Sequence, residues 1–305
     1  MKENCGLSIL IPAYNHDCTA MVKALCLQVE EVMAEDSNVG FEIIVADDGS
    51  SDADAKRANS EIAGLQHCTY TELPHNVGRA VIRNKLAVMA SYSHLLVLDC
   101  DVVISRHDFI KQYVCHMHDA DVVIGNLHFD NTDGRFDNNL RYIYEKGFLK
   151  RNPTTVRMRN PYASFRTTNF MARKDVMLAH PFDETFTEYG YEDALFGKGL
   201  KEAGVTIIHI DNHVTIDDIE SNDVFMEKTR QSLRTLSAHA KDMEGYSKIL
   251  DLYTKVGRWH LLPLVKMLFS ATENMMYRMC TGNHPSLLCY ALYKFGFFTS
   301  VHTRQ

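Results

Sequence analysis

The 305-residue sequence predicts an α/β fold, a mostly parallel sheet with helices on both faces, followed by a C-terminal helical extension. Three observations carry that prediction. Short apolar runs alternate with longer stretches whose apolar residues recur at helical spacing. Several of those runs end in polar clusters, as strands do where an open α/β sheet meets its ligand. From Asn222 the alternation stops and the chain reads as helix, punctuated by Gly257, Gly282 and Pro285.

In chain order, LSILIPAYN (7–15) is the first strand, rich in branched apolar residues, and MVKALCLQVEEVMAED (21–36) the first helix. FEIIVAD (41–47) is the second strand and CTYTELP (68–74) the third. A helix near 80–91, the strand HLLVLD (94–99), a helix near 108–118 and the strand DVVIG (121–125) continue the rhythm. Parallel neighbours need such crossover helices. A polar stretch rich in Asn, Asp and Arg follows (126–160), then a second motif block from Ala163 to Gly204. The expected division is a sheet domain over 1–221, with halves 1–125 and 126–221, and a helical extension over 222–305.

Hydrophobic residues at 46% and charged residues at 23% fit a folded chain and exclude wholesale disorder. A net charge of -7 argues against a nucleic-acid partner, which would need a basic face. From Leu252 onward six basic residues face Glu273 alone, a local +5 that leaves -12 for the rest of the chain. This segment, 252–305, holds the single Trp259 and reads either as a packed helical cap or as a contact with an anionic membrane surface. Eight cysteines without C-x-x-C or zinc-type spacing read as reduced thiols in a cytoplasmic protein, peripheral at the inner face of the membrane if the second reading of the tail holds. No run approaches the roughly 20 apolar residues needed to cross a bilayer.

Asp99-Cys100-Asp101 directly follows the apolar run HLLVL. Carboxylates at a strand end can hold a hard divalent cation that completes its octahedron with phosphate oxygens or water, which suits Mg²⁺ or Mn²⁺ bound with a diphosphate. A D-x-D is also a solvated turn in many sequences. Asp47-Asp48-Gly49-Ser50-Ser51-Asp52 has the composition of a turn, yet at the end of the second strand Asp48 can accept hydrogen bonds from a base or ribose. Tyr14, one strand over and close after Pro12, offers an aromatic face. Asn76 to Asn84 sets a glycine loop at a helix start with Arg79 and Arg83 one turn apart, suited to an anionic diphosphate or, alternatively, simply solvated. Glu192-Asp193 opens the helical segment ALFGKGLKEAG, where acidic residues commonly serve as plain capping. His209 and His213 follow the next strand, either reaching a metal or diphosphate or standing as polar neighbours.

In order and spacing, IPAYN, DDGSSD, NVGRAVIRN, LDCD and FDETFTEYGYEDALFGKGLKEAG resemble the inverting family 2 glycosyltransferases of the GT-A fold, over about Leu7 to Asp211. The resemblance implies that 1–125 is a nucleotide half and 126–221 an acceptor half. It places Tyr14 and Asp48 on the nucleobase with Pro12 in the same motif, Arg83 on the nucleotide, Asp99 on the ribose and Asp101 on Mn²⁺ or Mg²⁺. Asp193 becomes the catalytic base, with Glu192 beside it near the acceptor. The donor it implies is a nucleoside-diphosphate sugar, most often a UDP-sugar. The acceptor is a hydroxyl of a glycan or lipid-linked acceptor in cell-surface polysaccharide synthesis. Sugar selectivity is expected in 126–170, with Asn126, Asp130, Arg166 and Asn169 as candidates.

Two departures bear on this. Val102 stands where many members have a further aspartate, leaving one clear metal carboxylate. The Q-x-x-R-W string of processive synthases is missing, since Gln231 to Thr235 lacks the tryptophan, so one sugar per encounter is expected. Two other classes compete: a non-catalytic sugar-nucleotide-binding scaffold, which would need neither Asp101 nor Asp193, and a haloacid-dehalogenase-like phosphatase, whose D-x-D-x-V strand normally comes first in the chain rather than fourth.

Overall fold

The computed structural model describes residues 6–302. Seven strands, β1 (Gly6–Ala13), β2 (Gly40–Asp47), β3 (Cys68–Glu72), β4 (His94–Leu98), β5 (Val122–Phe129), β6 (Asn169–Arg173) and β7 (Ile207–Ile216), form one sheet in the order β3-β2-β1-β4-β6-β5-β7. β3, β2, β1 and β4 are mutually parallel, and β5 and β7 are parallel to each other. β6 runs antiparallel between β4 and β5.

Helices α1 (Thr19–Glu35), α2 (Ala53–Ser60), α3 (Arg79–Met89) and α4 (Phe109–His116) make the crossovers of the first half. α2 was not expected; Asp52 caps it by accepting the amides of Asp54 and Ala55, so a segment read only as a turn carries a helix start. α5 (Leu140–Arg151) and α6 (Thr154–Arg157) lie in the polar stretch, and α7 (Lys174–Ala179) and α8 (Glu192–Glu202) in the second motif block. α9 (Asn222–Ala238), α10 (Lys248–Arg258), α11 (Leu262–Thr281) and α12 (Leu287–Val301) build the C-terminal region.

The period-2 alternation of a strand explains why helices cover both faces. Ile9 and Ile11 of β1 join one core with Val22 and Leu25 of α1 and Tyr113 of α4. Leu10, between them, joins a second core with Leu86 of α3 and the ring cluster Phe165, Phe170, Phe182 and Phe196. Every one of these β1 side chains is fully buried, each contributing roughly 1.5–3 kcal/mol of transfer free energy.

The chain divides into two compact units. The first comprises the described residues up to Asp130, Pro153–Thr187 and Phe196–Asp217, and contains the whole sheet. The second comprises Asn131–Asn152, Glu188–Leu195 and the described residues from Asp218 on. This differs from the boundary expected near 221, because two segments assigned to the sheet domain group with the helices instead. The reason lies in α5: Leu140 shares a core with Met226, Leu233 and Leu236 of α9, Arg141 pairs with Glu220, and Asn139 donates to the Glu220 carbonyl at 2.8 Å. Gly190 belongs there too, since a Cβ on it would sit 2.5 Å from that of Ser232.

Among the described residues no helix is long and apolar enough to cross a membrane.

Candidate active site

In the first unit the ends of β1, β2 and β4 are tied into one polar edge. The amide of Asp48 donates to the Ala13 carbonyl at 2.8 Å, joining the two strand ends. Asn15 then clamps the following loop: its Oδ1 accepts the amides of Ser51 (2.8 Å) and Asp52 (2.9 Å), while its own amide donates to Ser50 Oγ at 2.8 Å. It does so with a left-handed backbone, φ 50°, a conformation asparagine tolerates better than most residues. Asn15 was expected only as part of a polar cluster; its place directly after Tyr14, in a turn that needs an Asx side chain, is the signal that marks its clamping role. Tyr14 itself follows β1 beside this clamp with 48% of its surface exposed, a ring with an open face. Pro12 lies half-buried on β1, opposite Ala46 of β2.

Asp48 is 4% exposed. Its Oδ1 accepts the amide of Val77 at 2.7 Å and its Oδ2 that of Gly78 at 3.0 Å. Burial raises its pKa, with Asp47 adding to the rise and the two amides opposing it. Asp48 therefore anchors the loop before α3, leaving one further lone pair on each oxygen for a base. Gly49 makes the approach feasible: at φ 70° it lies so close to the loop that a Cβ would stand 2.3 Å from the His75 carbonyl carbon. The glycine of the D-D-G-S string is thus a packing requirement between two loops.

Arg83, on α3, is 2% exposed and donates from Nη2 to Asp99 Oδ1 at 2.8 Å. Burial alone would raise the Asp99 pKa, but Arg83, then Arg79, together with hydrogen bonds from Arg83 and Thr168, holds it below the usual carboxylate value. This differs from the expected place of Arg83 on the diphosphate. It lies beneath the surface as the partner that keeps Asp99 ionised and oriented. The exposed guanidinium at the α3 N-terminus is that of Arg79. Thr168, missed in the sequence, also ties Asp99 through its carbonyl, which accepts the Asp99 amide at 3.1 Å.

Asp101 is exposed just beyond β4. Between the two aspartates the Cys100 thiol is pushed up to about 12 by burial and by Asp101, opposed by a backbone hydrogen bond with Tyr14, which links the D-C-D segment to the end of β1. Among the described residues no group of three or more His, Cys, Asp or Glu side chains is placed to hold a metal ion. An exposed carboxylate at this strand end fits a hard cation that takes most of its ligands from a diphosphate and water, and does not fit a closed protein cage.

His209 is not available as a metal ligand. Both it and His213 lie within β7 rather than after it. The His209 Nδ1 meets Arg157 Nη1 at 2.9 Å and its Nε2 meets the Pro161 carbonyl at 3.0 Å, so both ring nitrogens are engaged by the protein. Burial pushes its pKa down to about 4, with Arg157 acting in the same direction and the Pro161 hydrogen bond opposing. Arg157 is itself 6% exposed and also donates to the Gly125 carbonyl at 3.1 Å and to Asn126 Oδ1. Of the sugar-selectivity candidates, Asn169 is buried, receives the Tyr113 hydroxyl, and donates to the carbonyls of Asn126 (3.1 Å) and Asn212 (2.9 Å). It braces the irregularity between Ile124 and Asn126 where β5 and β7 shift register.

Glu192 and Asp193 lie in the second unit, in the first turn of α8. Tyr191 and Gly190 precede them with φ of 68° and 101°. Glu192 is 8% exposed; Asp193 is half-buried, and its Oδ1 accepts the amide of Ala194 at 2.7 Å.

Residues 8–179, more than half of the 305, match Glycosyl transferase family 2. The chain belongs to that family. It is an enzyme of the glycosyltransferase class, on a mixed, mostly parallel GT-A sheet, as the ordered motifs imply. A relative from Bacillus subtilis (strain 168), named an uncharacterized glycosyltransferase, YfnE, is 24% identical over 289 residues, covering 76% of this chain and 72% of that protein. Chondroitin synthase of Escherichia coli is 25% identical over 65% of this chain, which spans only 32% of that protein's length. Among solved structures, the mannosyltransferase PcManGT from Pyrobaculum calidifontis in complex with GDP-Man and Mn²⁺ aligns with a TM-score of 0.55 at 12% identity, covering 98% of this chain and 86% of that one. S. aureus TarS 1-349 aligns at 0.51 and 16% identity, covering 97% and 90%.

Proposed function

We propose that this glycosyltransferase moves a single sugar, with inversion, from a nucleoside-diphosphate sugar to a hydroxyl of a glycan or lipid-linked acceptor in cell-surface polysaccharide synthesis. The observation that carries the donor side is the tied edge of the first unit, where an open tyrosine ring, an amide-bound aspartate and an arginine-held aspartate stand at adjoining strand ends. Tyr14 stacks on the base and Asp48 accepts from it with its remaining lone pairs. Asp99, kept ionised by Arg83, accepts from the ribose hydroxyls. The diphosphate lies toward the N-terminus of α3, whose free amides and Arg79 favour an anion. UDP-sugars are the donors proposed. Support for a nucleotide sugar comes from relatives of the same fold whose complexes hold UDP-GlcNAc and GDP-Man.

Asp101 would hold Mn²⁺ or Mg²⁺ delivered with the donor. Such an ion supplies charge neutralisation for the departing diphosphate. Asp193 is the proposed base: it takes the proton of the acceptor hydroxyl as that oxygen attacks the anomeric carbon, with Glu192 beside it near the acceptor. The enzyme is further proposed to work in the cytoplasm at the inner face of a membrane, where lipid-linked acceptors are presented. All seven described cysteines are free thiols, in keeping with a reducing compartment.

The deciding experiment pairs a thermal-shift screen of nucleotide sugars in Mn²⁺ with transfer assays on Asp193→Asn. A general base is worth about 10² to 10⁴ in rate. The variant is expected to keep the donor-induced shift and lose transfer by that factor; full transfer by it would remove Asp193 from the mechanism, and no shift with any nucleotide sugar would remove the donor reading.

A further inference from the structure

The helices of the second unit expose an apolar surface that the sugar-transfer chemistry does not use. α11 buries one face: Phe269, Met276 and Cys280 pack in the unit's core, and Gly296 of α12 comes so close that a Cβ there would meet the Phe269 ring at 2.3 Å. Its opposite face is apolar as well. Leu264, Met267, Leu268, Met275 and Met279 are between 45% and 62% exposed, and their spacing of three, four, eleven and fifteen from Leu264 lays them along one stripe of the helix. From Leu264 to Met279 that stripe runs for about 22 Å along the helix. Trp259, 77% exposed, stands beside its N-terminal end on the turn between α10 and α11, where His260 adopts φ 57°. A helix apolar on both faces in water marks a surface with a partner.

The charges around the stripe identify that partner. α11 carries a single acidic residue, Glu273, and it turns inward to Arg230 at 3.3 Å. Arg258 and Arg278 are exposed and Lys266 half-exposed on or next to the same helix. No acidic side chain follows Leu252 except Glu273, in a chain whose remainder carries -12. We propose that the α11 stripe, with Trp259, rests in the interface of an anionic lipid bilayer, its methionines and leucines among the acyl chains and its arginines at the headgroups. Tryptophan and long basic side chains suit that boundary, since each has an apolar body and a polar end. A second copy of the chain docked face to face would bring together two faces whose rims are both basic, at Arg258 and Arg278, which works against that occupant. Among the described residues no helix is long and apolar enough to span a bilayer, so the contact proposed is parallel to the membrane plane.

The proposal goes beyond the sugar-transfer reading and is tested without donor or acceptor. The full chain is sedimented with vesicles of phosphatidylcholine alone and of phosphatidylcholine with phosphatidylglycerol, at low and high salt. Binding is expected to the anionic vesicles and to fall about tenfold or more at high salt or without the anionic lipid. Leu264→Ser with Leu268→Ser is expected to weaken binding by about tenfold or more. Because both side chains are already half-exposed, the variant should keep its melting temperature and its donor-induced shift. Arg258→Glu with Arg278→Glu, which leaves the apolar stripe intact, should lose the preference for anionic vesicles. Absence of vesicle binding by the unaltered chain would overturn the proposal. So would a lipid-free dimer that Leu264→Ser with Leu268→Ser dissolves, since that assigns the stripe to a second copy.

Discussion

Two arginines are buried in the first unit, and they are treated differently. Arg83, near the donor edge, has a carboxylate, Asp99, at 2.8 Å. Arg157, between β5 and β7, has only neutral acceptors within hydrogen-bond reach: the Gly125 carbonyl, Asn126, Thr154 and the His209 ring. Its charge is correspondingly strained; burial, reinforced by Arg166, lowers its pKa to about 10. A buried cation beside an acid fixes that acid in its ionised form, which is useful where the acid must meet a ligand. A buried cation among neutral acceptors fixes the backbone that presents them. The donor edge is built by the first device and the bulged β5–β7 pair by the second.

The largest effect should come from breaking the first device. Asp99→Ala leaves a buried guanidinium without its carboxylate, a change that typically costs about 3–5 kcal/mol. Adding Arg83→Met should restore much of that stability, because a matched pair exchanged for apolar groups is often neutral. Donor binding should not return in the double variant, as the proposed ribose ligand is gone. Thermal unfolding and nucleotide-sugar titration of the two variants separate these outcomes; if donor binding recovered with stability, Asp99 would be only a partner for Arg83.

Arg157→Met should cost less, about 1–3 kcal/mol, for the acceptors it leaves unpaired, because the strained charge departs with the side chain. Its donor affinity should be unchanged, since none of the contacts of Arg157 reaches β1, β2 or the α3 N-terminus. A large loss of donor affinity in this variant would mean that the two regions are coupled, and would erase the distinction drawn between them.

The sequence made the donor edge legible because its parts are strand-end motifs with short local spacing. Pro12, Tyr14, Asp48, Asp99 and Asp101 all lie at or just beyond parallel strands whose apolar alternation is plain. What escaped is whatever depends on contacts distant in sequence. Arg83 reads as a diphosphate ligand one turn from Arg79, and nothing local says that α3 turns it inward toward Asp99, 16 residues on. His209 reads as a strand-end ligand only if β7 stops early. The strand in fact runs to Ile216, and the loop at Pro161 and α6 covers the ring. The unit boundary was hidden for the same reason, since α5 looks like part of the polar stretch until Leu140 is seen in the α9 core.

The smallest and most specific test of the second device is its pH dependence. The folded His209 pKa is near 4, below the ordinary 6.5, so at pH values between these the unfolded chain binds a proton that the folded chain refuses. More protons on the unfolded state means that stability rises with pH across this interval and falls on acidification. From pH 7 to pH 6 the loss attributable to this one ring is about 0.7 kcal/mol, and by pH 5 about 2 kcal/mol. His209→Gln can still accept from Arg157 and donate to the Pro161 carbonyl but does not titrate. Its stability between pH 7 and pH 5 should therefore be flatter than that of the unaltered chain by that amount, read from urea unfolding at each pH. An unchanged slope would mean that acid reaches His209 in the folded state, and that the ring is held less tightly between Arg157 and Pro161 than its two hydrogen bonds require.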